Sequence, residues 1–110
     1  MAKFVTIGYG DQDGYDRTDA AVRDRAHAHD ARLRAAGAVL GIAGTPVQVT
    51  NHDGAGTTVE RGPFMSSSLP VAGFEIIEAE TIEEAVRLVA QTPCAVARGV
   101  VEVWPLREPA

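Results

Sequence analysis

Cysteine is nearly absent from this chain. The one thiol in 110 residues, Cys94, excludes an internal disulfide and any metal site built on paired cysteines. A single thiol also fits a reducing, cytoplasmic setting. Basic charge is scarce too: 10 Lys and Arg stand against 15 Asp and Glu, for a net charge of -5. Nucleic acid needs a basic face, and no basic run occurs. The arginines between Arg17 and Arg34 alternate with Asp19, Asp24 and Asp30. No apolar run reaches the length of a membrane span, so no membrane partner is expected. The opening MAKFVTIGYG lacks the apolar core of a signal peptide and reads directly as a strand. Low-complexity tracts and short internal repeats are missing as well.

What is present is ordinary globular material, 45% hydrophobic and 23% charged, enough for one domain with one core. The Ala/Arg-rich composition points to a bacterial source. Lys3 to Tyr9 is β-branched and aromatic, and the loop GDQDGYDR follows it. From Asp19 to Ala36 neither Gly nor Pro interrupts. Val22, Ala26, His29, Leu33 and Ala36 fall on one helical stripe, with Gly37 as the stop and Thr18 or Asp16 as the cap.

Residues 38–43 read as a short strand. Residues 46–51 and 57–62 flank HDGAG and predict a hairpin turning near Asp53-Gly54. Val71 to Glu78 predicts another strand, with Ala72, Phe74 and Ile76 on one face and Glu75 and Ile77 on the other. A capping box, Thr81 to Glu84, opens a second helix with Ile82, Ala85, Val86 and Val89 inward and a Glu83–Arg87 pair outside. Pro93 ends that helix. Val100 to Trp104 is the last strand, which Pro105 stops.

The order is β-α-β, a hairpin, then β-α-β. It predicts a single α+β domain over residues 1–110, with a ferredoxin-like antiparallel sheet and both helices on one face. Phe4, Val47, Val49, Ile77 and Val101 are more apolar strand positions than two helices can cover. A second copy packed against the open face, a homodimer, follows from that excess.

Several segments in this order resemble one family. They are FVTIGYGD, LRAAGAVLG, TTVERGPF, AGFEIIEAETIEEAVRLVAQTP and GVVEVWPL. Together they look like the YCII-related proteins, in particular the branch named for an Asp-Gly-Pro-Phe motif. The resemblance implies a dimeric α/β barrel and a cleft near the dimer interface. Some relatives are proposed to use a His and an Asp there, and a few distant ones are lyase-like. In this chain the motif's Asp is Arg61. The Asp-Pro of the enzyme-like relatives is Thr92-Pro93, and their helical His falls near Ala26.

The candidate site residues follow from chemistry. His29, at the centre of the helical stripe, is either a satisfied core histidine or a proton carrier. Asp11, in the loop after the first strand, is its partner carboxylate or a helix cap. Tyr9, Arg61, Ser66 and Ser67 are the ligand-binding candidates, since an arginine beside short hydroxyls suits an anionic small molecule. His27 reads as solvated and His52 as a turn residue. Two histidines two residues apart lie on different helix faces, so no metal site is expected. Cys94 lacks a histidine partner and reads as an inert thiol. No cofactor is implied. Two functions remain open: a cofactor-independent lyase, isomerase or cyclase working by acid/base chemistry, and a non-catalytic ligand-binding or accessory protein.

Overall fold

The computed structural model describes residues 1–107. The chain opens with β1 (Ala2–Tyr9), whose alternating pattern puts Phe4, Thr6 and Gly8 on the buried face. The glycine-rich loop that follows is partly helical. It forms α1 (Gln12–Asp16), capped by Asp11, whose carboxylate accepts a 2.8 Å hydrogen bond from the Gly14 amide. Gly14 has to be glycine there, because a Cβ would sit 2.8 Å from the Ala97 carbonyl oxygen.

α2 (Ala20–Ala35) covers the predicted helix and ends before Gly37, which takes φ +110. Its N-cap is Asp19, without a side-chain bond. The expected caps are engaged elsewhere: Thr18 donates to the Gly14 carbonyl, and Asp16 accepts from Gln12. β2 (Val39–Ile42) follows. Then come β3 (Val47–Thr50) and β4 (Thr58–Arg61), joined by a short 3-10 turn, His52–Gly54, with Asp53 and Gly54 at positive φ. β5 (Val71–Ala79), α3 (Ile82–Val89), α4 (Pro93–Val96) and β6 (Val100–Leu106) complete the chain.

β2, β5, β1 and β6 form a four-stranded sheet in that order, antiparallel at every pairing, while β3 and β4 pair only with each other. Two β-α-β halves interleaved in this way are the ferredoxin-like α+β arrangement. The core lies between the sheet and the helices: Phe4, Ile77, Ala79, Ala85 and Val89, flanked by Ala38, Leu88, Val101 and Val103.

Four local expectations are corrected. In α3 only Ala85 and Val89 are buried, while Ile82 and Val86 stay exposed, because an eight-residue helix turns one narrow face to the sheet. Its capping box forms, with Thr81 Oγ1 accepting from the Glu84 amide at 3.1 Å, but no Glu83–Arg87 pair does. Among the described residues the ion pair is Arg17–Asp13. Pro93 does more than end α3, since it starts α4 in the first turn, where its missing N–H costs nothing. β6 runs through Pro105 to Leu106, because an edge strand tolerates proline.

The argument from apolar excess is also redistributed. Phe4 and Ile77 are buried and Val101 packs beside them on the helix side, whereas Val47 and Val49 lie in the hairpin. The open face carries a different apolar set. Val39, Ile76, Val5 and Trp104 align across all four strands through the cross-strand pairs, and Phe74 and Ile7 form the next row. Phe64, which follows the Gly62-Pro63 corner, is 89% exposed. The hairpin projects from the body: the radius of gyration is 15.9 Å, against about 13 Å for a compact domain of this size.

Candidate functional site

The sheet and α2 diverge at the C-terminal end of β1, where glycine and alanine replace bulky side chains. Gly8 and Gly10 of the β1 end, Gly73 of β5 and Ala31 of α2 leave the space open. The result is a cavity of about 730 Å³, with α1 and α4 at its sides. That volume suits a small organic molecule. Its chemistry comes from Asp30 of α2, Glu75 of β5, Tyr15 and His27 at the α1–α2 side, and Cys94 of α4.

Glu75 shares the inward face of β5 with Ile77 and Ala79. Burial pushes its carboxyl up to about 7, and the neighbouring Asp30 charge adds to the rise. Asp30 is itself raised by burial, against the opposing pull of His27, His29 and Arg34. Asp30 Oδ1 and Glu75 Oε2 are both shut off from solvent and lack a hydrogen-bond partner. Two desolvated carboxyl groups in one cavity cannot both ionise cheaply, so the pair holds a proton near neutrality. Cys94 is raised by burial and then by both carboxylates, which keeps it a thiol and a poor nucleophile.

At the cavity mouth Tyr15 and His27 are joined through the phenol oxygen and Nε2 at 2.7 Å, and the Arg23 guanidinium lies 4.7 Å from the Tyr15 ring centre. Arg34, the one guanidinium in the lining among the described residues, turns toward the Leu40 carbonyl at 3.5 Å.

The residues singled out from sequence are distributed as follows. Asp11 lines the cavity, with one carboxylate oxygen committed to the α1 cap. His29 is half-buried, and its Nε2–H donates to the Leu88 carbonyl at 2.5 Å, which ties α2 to α3. It lines neither described cavity. Tyr9, Ser66 and Ser67 line a second cavity of about 990 Å³, between the hairpin root and the open sheet face. The Tyr9 phenol donates to Glu102 Oε1 at 2.7 Å, and that bond raises its pKa. Ser67 exchanges hydrogen bonds with the Leu69 backbone. Arg61 is exposed at the end of β4 and lines neither cavity. His29 and the arginine-serine wall therefore share no cavity among the described residues.

Asp30, Glu75 and His27 were missed as site residues, although the signals existed. Glu75 is the one acid on the strand face that carries Ile77. Asp30 is four residues after buried Ala26 and three before buried Leu33, so it belongs to the inward side of α2.

Among the described residues no group of three or more His, Cys, Asp or Glu is placed to hold a metal ion, and no helix is long and apolar enough to cross a membrane. The fold and its cavity define a ferredoxin-like α+β protein with a largely apolar pocket, holding a few polar groups, at one end of the sheet. The family model of the YCII-related domain matches residues 2–109, and the chain belongs to that family. No curated protein matches the sequence.

Proposed function

We propose that this YCII-related protein binds a small organic molecule in the cavity between α2 and the sheet, and that Glu75 exchanges a proton with it. The observation behind this reading is the Glu75 carboxyl, held at about 7 by burial beside Asp30 inside a 730 Å³ cavity. A carboxyl titrating near neutrality can donate or accept a proton at working pH, as a lyase, isomerase or cyclase requires. Asp30 shares the proton with Glu75, and Tyr15 and His27 shape the entrance. His29 acts at a distance by fixing α2 against Leu88. The protein is of the Asp-Gly-Pro-Phe branch and works in the cytoplasm as a homodimer through its open sheet face. The second cavity then lies at the junction of the copies, where Tyr9, Ser66, Ser67 and nearby Arg61 would receive an anionic group.

A ligand-observed NMR screen of small organic molecules tests the binding. Binders should be displaced when Ala31→Trp fills the cavity; binders that survive this change would remove the site from α2. Carbonyl compounds that bind should show C–H exchange in D2O, and Glu75→Gln should stop it. Binding with no exchange would support the second reading, an accessory protein that holds a ligand without turnover. That reading draws on His29, whose imidazole is engaged by a backbone carbonyl.

A further inference from the structure

The cavity has an electrostatic imbalance that a ligand could resolve. Its lining holds three carboxylates, Asp11, Asp30 and Glu75, against one guanidinium, Arg34. Arg34 points at the Leu40 carbonyl, and Asp11 is partly satisfied by the Gly14 amide. The excess negative potential is therefore concentrated on Asp30 and Glu75, each with one solvent-shielded, unpartnered oxygen. Buried carboxylate oxygens are normally hydrogen-bonded, and each orphan is an open acceptor. Leu40, paired with Glu75 across β2 and β5, and Val101, paired with Gly8 across β6 and β1, add apolar lining on the same sheet face.

We propose that the ligand presents a cationic nitrogen, such as an ammonium, amidinium or guanidinium group, to Asp30 and Glu75, with its apolar part toward Leu40 and Val101. The proposal rests on the reading of this cavity as the ligand site, and adds the charge of what enters it. An N–H-rich cation supplies both missing hydrogen bonds and offsets the like-charge repulsion. An anion would add to that repulsion, and a neutral amide would supply the hydrogen bonds without the charge.

A consequence follows for the chemistry. The groups that face Glu75 are Asp30, His27 and Arg34 of α2, Asp11 and Tyr15 from the segment before it, and Cys94 of α4. Of these, Asp30 alone raises it by charge, after burial itself. A bound cation reverses that balance and drives Glu75 to its ionised form. The carboxyl, which near neutrality is divided between its two forms without ligand, is then held as the base while the ligand is present. By linkage, cation affinity must rise with pH through the range where Glu75 ionises.

Three near-isosteric probes separate the charge from the shape: benzamidine, benzamide and benzoate, titrated into 15N-labelled protein. Benzamidine stays cationic throughout and should perturb the amides around Asp30, Leu40 and Glu75. It should bind about tenfold tighter than benzamide, a difference of about 1.4 kcal/mol. Its affinity should increase by about fivefold or more from about pH 5.5 to about pH 8. Glu75→Gln should remove most of both effects, with the unchanged spectrum of β1 and β6 showing that the fold persists. Benzamide or benzoate binding as tightly as benzamidine at this site would overturn the cation and leave the small-molecule cavity standing. So would a benzamidine affinity that is flat or falls with rising pH. Failure of all three probes to perturb the cavity at millimolar concentration would overturn both readings.

Discussion

The Tyr15 phenol and the His27 imidazole meet at 2.7 Å, and this bond fastens the short helix α1 to α2 across twelve residues of sequence. α1 has five residues and cannot stand alone as a helix. Its place is set by the Asp11 cap, by this bond, and by Arg23 over the Tyr15 ring. The bond is solvent-exposed, so Tyr15→Phe should cost only about 0.5 kcal/mol, because the ring and its cation contact remain. Tyr15→Ala removes the bond, the ring and its cation contact, leaving only the Asp11 cap, and should cost about 1 kcal/mol more. Chemical denaturation of both variants measures the difference. Equal losses would mean that the ring contributes nothing to seating α1.

Glu75 gives stability a definite pH dependence. Its carboxyl is raised in the folded protein from 4.5 to about 7, so the folded state holds the proton more tightly than the unfolded chain. The stabilisation from this group is complete below the unfolded pKa and is lost as pH rises through about 7. Asp30, also raised by burial, acts in the same direction. Glu75 is partly exposed, and solvent screening reduces its share to on the order of 1–2 kcal/mol. Wild-type protein should therefore lose stability between about pH 5 and about pH 8, and Glu75→Gln should flatten most of that slope. Urea midpoints measured across this range check it. A wild-type slope retained in Glu75→Gln would assign the titration to another group.

The fold was legible because its signals are local and periodic. The alternation in β1 and β5, the Thr81–Glu84 capping box and the Gly37 stop each mark an element where the structure has one. α1 was not legible, since five residues give no periodicity to read. Pro105 misled for another reason: whether a proline ends a strand depends on whether its neighbour side is paired, and that is decided by sheet order. The site was legible only in part. Asp11 and Tyr9 sit where the end of β1 meets the two cavities. The Asp30–Glu75 pair joins residues 45 apart in sequence, and desolvation, which no spacing reports, is what gives the pair its chemistry.

Gly62 and Ser67 separate a backbone constraint from a surface one. Gly62 has φ +104, with no atom within 4 Å of a built Cβ, so its requirement is conformational rather than steric crowding. Its amide donates to the Pro46 carbonyl at 3.0 Å, which closes the base of the β3–β4 hairpin. Gly62→Val should open the hairpin by about 1–2 kcal/mol, whereas Ser67→Ala loses only an exposed turn bond. Because β3 and β4 pair only with each other, the damage should be local. Amide exchange should accelerate at Gln48, Thr50, Thr58 and Glu60, the hydrogen-bonded pairs of the ladder, in Gly62→Val and stay near wild type in Ser67→Ala, with β1 and β5 protected in both. Unchanged hairpin exchange in Gly62→Val would show that the Gly-Pro corner is not a constraint.

The open sheet face carries the last expectation. Val39, Ile76, Val5 and Trp104 form one apolar row across four strands, with Val39 66%, Ile76 43% and Trp104 56% exposed. Phe74 and Ile7 extend it, and the polar Glu102 is turned to the Tyr9 phenol. A contiguous apolar face of this kind is costly in water, and an antiparallel sheet with helices on one side covers it most directly by pairing with its own copy. Light scattering at micromolar concentration should give about twice the chain mass of 11.6 kDa. Ile76 stands at the centre of the row and already touches water in the single chain, so Ile76→Lys should leave the fold intact while placing two ammonium groups opposite each other across the two-fold axis. The variant should be a folded monomer, with its α3 and β1 amides still protected. A wild-type monomer at that concentration, or an Ile76→Lys protein that remains dimeric, would move the interface off this face.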